Sequence, residues 1–368
     1  MTVQAAIFES PKAPLVLGPI ELEEPQKGEV RVRLLFSGVC HSDYHVLLGE
    51  WTMPTPLVLG HEGAGVVEKV GPDVTDISVG DHVILSWTPA CRRCRFCVSG
   101  RPQLCELAVS TAYRCLLPSG KTPLSRDGAA VYPFLGVGTF SQAAVVAESA
   151  VIPIRKDMAL DKAALIGCAV VTGVGSVINT ARVRAGSQVV VIGCGGVGLS
   201  IIQGARLAGA RRIIAIDVRE DALARALQLG ATASVNTKTD DPRKKVIELT
   251  APGAPDYVFE AIGKTPTIEL AYEMTGPGGT TVVVGQVSEG ETIRIDPYIL
   301  SEQEKVLRGS NYGSARVALD FPLMVELYLS GLLDLDALVS KVRPLAEVNA
   351  AFEDMATGGI ARTVLDLG

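Results

Sequence analysis

The pattern of apolar and polar positions changes character near residue 165. Before it, apolar residues come in short period-two segments. Val30, Val32 and Leu34 alternate with Arg31 and Arg33, and short apolar runs follow at 65–67 and 82–85. The intervening stretches are dense in Gly and Pro, which predicts β-structure with long loops. Beyond residue 165, strand-like apolar runs alternate with helix-length segments. Strands are predicted at 188–192, 212–216, 233–236, 256–260 and 280–284, with a sixth near 305–307. Helices such as 196–208 and 220–229 lie between them. This alternation implies an α/β fold, a doubly wound parallel sheet of Rossmann type. After residue 311 come helices around 318–330 and 346–356 and a last strand at 362–366. No internal repeat or low-complexity segment interrupts the series.

A chain of 368 residues exceeds what one core organises, so two domains are expected. Hydrophobic residues at 48% and charged residues at 20% exclude wholesale disorder. The net charge of −6, with only the short clusters Arg92, Arg93, Arg95 and Arg211–Arg212, argues against nucleic acid as a partner. The N-terminus lacks the pattern of a signal peptide, and no apolar stretch reads as long enough to span a bilayer. The eight cysteines (40, 91, 94, 97, 105, 115, 168, 194) are therefore expected as metal ligands in a reducing, cytoplasmic setting rather than as disulfides.

The predicted strand 188–192 runs directly into Gly193-Cys194-Gly195-Gly196-Val197-Gly198 and then a predicted helix. In G-x-G-x-x-G, one glycine permits the turn, the second lets backbone approach a pyrophosphate, and the third allows close helix–strand packing. Asp217, 19 residues after Gly198 at the end of the next strand, can accept ribose hydroxyls and repel a 2′-phosphate. NAD is thus expected over NADP, although Arg219 beside it could accommodate a phosphate. The plainer reading of Asp217 is a helix cap.

Cys91, Cys94, Cys97 and Cys105 place four thiols within fifteen residues. Four soft anionic ligands at this spacing suit a closed, structural zinc site, with the nearby arginines helping to keep the thiolates ionised. A second group is scattered. Cys40 lies in Gly38-Val39-Cys40-His41-Ser42-Asp43-Tyr44-His45, and His61 in Gly60-His61-Glu62-Gly63-Ala64-Gly65, with Gly71 and Val74 following. Cys168 lies in Gly167-Cys168-Ala169-Val170-Val171-Thr172-Gly173. Spacing alone does not join these residues.

Taken in order, these motifs resemble the zinc-containing alcohol dehydrogenases of the medium-chain dehydrogenase/reductase superfamily. The resemblance runs from Val30 to Ile360-Ala361-Arg362-Thr363, and the long 105–140 segment is similar to the dimeric, longer-chain branch. It implies a mainly β, GroES-like catalytic domain at 1–169 and 312–368, carrying the structural-zinc loop 91–105, and an NAD-binding domain at 170–311. It further implies a catalytic zinc on Cys40, His61 and Cys168, Glu62 as a transient ligand, and Asp43 orienting His61. Ser42 and His45 would relay the proton, while His41, Thr172 and Arg362 would face the coenzyme. Trp51, Trp87 and Phe134 would line the substrate pocket. The implied protein is a homodimer that holds two zinc ions per chain and oxidises primary alcohols to aldehydes with NAD.

Two relatives on the same scaffold remain open as alternatives: a thiol-adduct-dependent formaldehyde dehydrogenase and a coenzyme-retaining aldehyde dismutase. Trp51 stands where the former would carry an acid. A zinc-bearing interaction module without activity would need neither an open zinc nor a relay. His82, Cys115 and Cys194 are read as structural.

Overall fold

The ten-residue strand Glu29–Gly38 is the spine of the N-terminal part of the chain. Val30, Val32 and Leu34 are fully buried, while Arg31 and Arg33 reach Glu24 and Glu68 on the outer face. The period-two signal thus becomes one buried and one solvated face. In this computed structural model, which describes residues 1–358 and 361–368, the strand pairs antiparallel with Glu62–Val70, Ala143–Ala147 and Arg362–Asp366. Ile360, at the start of the C-terminal motif, lies outside the described residues. His82–Leu85, Val151–Ile154 and Val339–Pro344 complete a seven-stranded sheet. A separate closed barrel is formed by Thr2–Phe8, Val16–Leu22, Leu124–Arg126, Ala129–Pro133 and Leu57–Val58. Its core includes Val3, Ile7, Ile20, Val58 and Val131.

The second unit holds six parallel strands in the order Ala233–Asn236, Arg212–Asp217, Gln188–Ile192, Tyr257–Glu260, Thr280–Val283, Val306–Gly309. Numbered by sequence, that is the 3-2-1-4-5-6 order of a doubly wound dinucleotide fold. The central strand Gln188–Ile192 is buried at every position, which is why it reads as a continuous apolar run rather than an alternating one. Val190, Ile192, Ile214, Ile216 and Val258 pack into one core with Val246 and Ala271.

The compact units comprise Met1–Cys168, Arg316–Gly331 and Val339–Gly368 on one side, and Ala169–Ala315 with Leu332–Leu338 on the other. The sequence expectation carried 312–368 as one uninterrupted part of the first domain. The short excursion Leu332–Leu338 goes to the second unit. There the Gln203 amide donates to the Asp334 carbonyl at 3.0 Å and Arg206 to the Leu332 carbonyl at 2.7 Å.

One element escapes the periodicity altogether. Residues 160–181 form a continuous helical stretch of alternating α and π segments. By length and composition this helix could cross a bilayer, contrary to the sequence expectation that no segment was long enough; 83% of its most apolar window is buried within the protein. A helix apolar all round has no amphipathic stripe to detect.

The glycine loop after Gln188–Ile192 is tightly constrained. A Cβ at Gly198 would lie 1.8 Å from the Gly193 carbonyl oxygen. Gly198→Ala is expected to destabilise the protein by about 2–3 kcal/mol through overpacking, measured as a lower urea midpoint, and to weaken NAD binding in parallel.

Candidate functional site

Strand register builds the first cluster. Gly38 and Glu62 are cross-strand partners, so Cys40, two residues past Gly38, comes beside His61, the residue before Glu62. Glycine at 38 leaves room for the Glu62 carboxylate, since a Cβ would lie 2.0 Å from Glu62 Oε2 and displace it. Cys168 arrives from the π segment Ile166–Val170. Such single-turn bulges let a helix present a side chain that regular spacing would misplace. The donor atoms of Cys40, His61, Glu62 and Cys168 all lie within 4.8 Å of one another, and all four residues are buried.

Cys40 caps the helix His41–Leu48, and Asp43 occupies its third position. The Asp43 carboxylate accepts from the Cys40 amide at 3.1 Å, from the Gly60 amide at 2.9 Å and from His61 Nδ1 at 3.2 Å. Burial opposes a charge on His61, but Asp43 and Cys40 outweigh it and hold the imidazole up at about 10. The Cys40 thiol is held well below its usual value, first by a hydrogen bond from Cys168 and, against burial, by the charge of Arg362. Arg362 is 5% exposed and its guanidinium pairs with Glu62 Oε1. Glu62 Oε2 is buried with no hydrogen-bond partner among the described residues. Anionic sulfur, a histidine fixed through Nδ1 and an orphaned carboxylate oxygen together fit a divalent soft cation such as zinc.

The second cluster, Cys91, Cys94, Cys97 and Cys105, also brings its four sulfurs within 4.8 Å of one another. The backbone amides of Cys97 and Glu106 hold the Cys94 thiol down at about 6. Burial and then the Cys94 thiol push Cys97 up to about 12. Four thiols this close all ionise together only with a cation among them, as a closed thiolate shell around zinc requires. The sequence expectation that neighbouring arginines help ionise these thiols is corrected: at Cys91 and Cys94 it is backbone amides that favour the thiolate. Arg95 instead lies over Phe96 at 4.5 Å and pairs with Glu106 at 3.0 Å.

Around the first cluster, Ser42 Oγ lies 3.8 Å from Cys40 Sγ. His41 is the exposed first residue of its helix, edge-on to Tyr44. His45 stacks on Trp51 with ring centroids 4.8 Å apart, and its Nδ1 meets Glu50 Oε2 at 2.5 Å. Phe134 is fully buried and packs edge-on to His61 at 5.6 Å, and Trp87 lies against Tyr113 at 6.0 Å. Glu50, Tyr113 and the Glu62–Arg362 pair were not visible in the sequence. Gly49 was the available signal for Glu50: a left-handed glycine ending a helix turns the next residue back over it.

In the second unit, a Cβ on Gly193 would strike Ile262, whereas a Cβ on Gly195 would meet nothing within 4 Å. Packing therefore does not demand glycine at 195. Gly196 and Gly198 are buried at the start of the helix Gly196–Leu207, with Val197 half-buried between them. Asp217 Oδ2 accepts from the Cys194 amide at 2.7 Å, and Oδ1 accepts from Val218 and Arg219. The carboxylate thus ties the glycine loop to the next strand and keeps lone pairs for a further donor. Arg219 is turned onto Asp221. Thr172 is half-buried in the helix Val171–Gly175. Cys194 is buried against the Ile216 carbonyl, and the Cys115 sulfur lies 4.0 Å from Met53 sulfur.

Comparison with known proteins agrees with this arrangement. The family of alcohol dehydrogenase GroES-like domains matches residues 26–156, and that of zinc-binding dehydrogenases matches 196–330. The chain is 38% identical to a class-3 alcohol dehydrogenase of Dictyostelium discoideum, covering 100% of this chain and 98% of that one. It is 39% identical to an S-(hydroxymethyl)glutathione dehydrogenase of Saccharomyces cerevisiae, with 98% and 95% covered. The structure superposes on benzyl alcohol dehydrogenase from Acinetobacter calcoaceticus with a TM-score of 0.95 at 32% identity, covering 100% of both chains. The chain belongs to the zinc-containing alcohol dehydrogenases of the medium-chain dehydrogenase/reductase superfamily, enzymes of α/β architecture that work with zinc and a nicotinamide coenzyme.

Proposed function

We propose that this chain oxidises a primary hydroxyl to an aldehyde with NAD, using Cys40, His61 and Cys168 to hold a catalytic zinc and Cys91, Cys94, Cys97 and Cys105 to hold a structural one. The observation that carries the reading is the convergence of two thiols, an imidazole and a carboxylate, all buried, within 4.8 Å. Bound zinc supplies the Lewis acidity that lowers the pKa of a coordinated hydroxyl, and bound NAD accepts the hydride.

The chain's own residues do the rest. Asp43 takes the Nδ1 hydrogen of His61, which leaves Nε2 as the ligand atom and fixes the ring plane. Arg362 holds Glu62 beside the ligands rather than standing alone as a coenzyme contact. Ser42 Oγ would accept the hydroxyl proton and hand its own outward through the coenzyme ribose to His45. Phe134 and Trp87 present apolar, water-excluding walls. In the other unit, Gly193, Gly195, Gly196 and Gly198 leave room for the pyrophosphate. Asp217 supports NAD over NADP, and Arg219 is already paired with Asp221. The likeness of the long 105–140 segment to the dimeric branch supports a homodimer, and eight cysteines with none in a disulfide among the described residues support a reducing, cytoplasmic setting.

For the substrate, the curated relatives favour the hydroxymethyl adduct of a thiol, whose hydroxyl loses a hydride and a proton to give the S-formyl thioester in place of a free aldehyde: the yeast protein 39% identical to this chain is named for S-(hydroxymethyl)glutathione. A second reading, a neutral aromatic alcohol, rests on Trp51 stacked on His45 and on the benzyl alcohol dehydrogenase likeness. Initial rates of NADH formation with hexanol, benzyl alcohol and formaldehyde plus glutathione, with NADP in parallel, decide between them. Highest kcat/KM for the glutathione adduct supports the first reading and for benzyl alcohol the second. Silence across the panel in zinc-replete protein sinks both.

Two substitutions probe the metal assignment. Cys168→Ser is expected to lower zinc from two ions per chain to one and kcat by about a thousandfold, with NAD binding retained. Asp43→Asn is expected to weaken zinc at the same cluster by about ten- to a hundredfold in a chelator competition while the four-cysteine zinc stays bound.

A further inference from the structure

The helix His41–Leu48 ends on Gly49, whose φ of 76° lies in the left-handed region. The Gly49 amide donates to the Val46 carbonyl at 3.0 Å and the Glu50 amide to the His45 carbonyl at 2.9 Å. This double bond pattern is a Schellman turn, and it folds residue 50 back over residue 45. The reversal needs glycine twice over, because a Cβ at Gly49 would also lie 2.9 Å from Pro11 Cβ. The Glu50 side chain completes the return, with Oε2 2.5 Å from His45 Nδ1. Trp51 stacks on the same imidazole, its ring 18° from coplanar. The His45 side chain is 19% exposed and that of Glu50 36%. The imidazole is therefore sheltered, and the carboxylate reaches solvent.

We propose that Glu50 is the outer member of the proton relay, a positioning residue that fixes the His45 tautomer and carries the proton from the ring to water. This rests on the alcohol-oxidation reading above. A carboxylate at Nδ1 accepts only, so the neutral ring carries its hydrogen there and leaves the Nε2 lone pair as the base. The ring takes one proton at Nε2 and gives one up at Nδ1 to Glu50, which releases it to water. Solvent exchange then restores the Nδ1–H form. The stacked indole holds the ring plane through the cycle. The groups that face His45 are few: Glu50 at Nδ1, the neutral Trp51, and His41 one helical turn back, whose own imidazole is disfavoured as a cation chiefly by burial and in small part by His45. Glu50 is thus the acid–base group in hydrogen-bond contact with the ring among the described residues.

The chain has four histidines, so nitrogen-15 spectra of histidine-labelled, zinc-loaded enzyme at alkaline pH resolve each ring, with His45 assigned by its loss in His45→Gln. His45 is expected in the Nδ1–H form in the unmodified enzyme and in Glu50→Gln, whose amide oxygen still accepts, and to lose that preference in Glu50→Leu. Glu50→Gln is expected to lower kcat about tenfold, with zinc content and the KM for NAD unchanged, and added imidazole is expected to restore the rate. An Nε2–H ring in the unmodified enzyme overturns the proposal. So does a Glu50→Gln enzyme with undiminished kcat, or one whose deficit imidazole leaves untouched. Unmodified enzyme that turns over no hydroxyl substrate overturns the parent reading instead, and the tautomer spectrum, which needs no turnover, separates the two failures.

Discussion

The buried cluster of Cys40, His61, Glu62 and Cys168 depends on one carboxylate removed from solvent. Asp43 is fully buried, a placement that costs several kcal/mol unless the charge is answered. It is answered by the Cys40 amide, the Gly60 amide and the His61 imidazole. Those three groups belong to two loops that strand pairing brings side by side, and the carboxylate locks the loops in register. The hydrogen bonds of Asp43 thus fix Cys40 and His61 relative to one another. The neighbouring Glu62–Arg362 pair extends the same logic one layer further, joining the strand that begins at Glu62 to the last strand of the sheet. A chain with this centre can hold a zinc with an open position, whereas the four-cysteine cluster, with every donor a thiol, leaves none.

Much of this was legible in the residues. Alternation at Val30, Val32 and Leu34 gave the central strand its two faces, and the apolar run at Gln188–Ile192 gave the fully covered parallel strand. The glycine loop and the four-cysteine spacing carry their chemistry in adjacent positions, so sequence alone exposes them. Cys168 is different. Its partnership with Cys40 and His61 is a tertiary fact, reached in the sequence only through family resemblance, because the helix that delivers it is apolar on every side. The same helix contains the π segment that aims the cysteine, and no local propensity encodes such a bulge.

Other features were hidden for distinct reasons. Gly49 announces a helix end, but not that the following glutamate will reach the ring of His45, five residues earlier. Arg362 reads as a coenzyme contact through family resemblance, and only the sheet reveals that it is set against Glu62, whose buried carboxylate pairs with it. The excursion of Leu332–Leu338 into the second unit rests on two side-chain to backbone hydrogen bonds that leave no hydrophobic trace. In each case the missing information is a long-range polar contact, which periodicity cannot report.

Anomalous diffraction at the zinc edge from crystals of the zinc-loaded protein tests the central claim most directly. The account requires two peaks per chain, one among Cys91, Cys94, Cys97 and Cys105 and one bounded by Cys40, His61 and Cys168, with sulfur at about 2.3 Å and imidazole nitrogen at about 2.0–2.1 Å. A single peak at the four cysteines, with Cys40, His61 and Cys168 left without metal under the same loading, would contradict it.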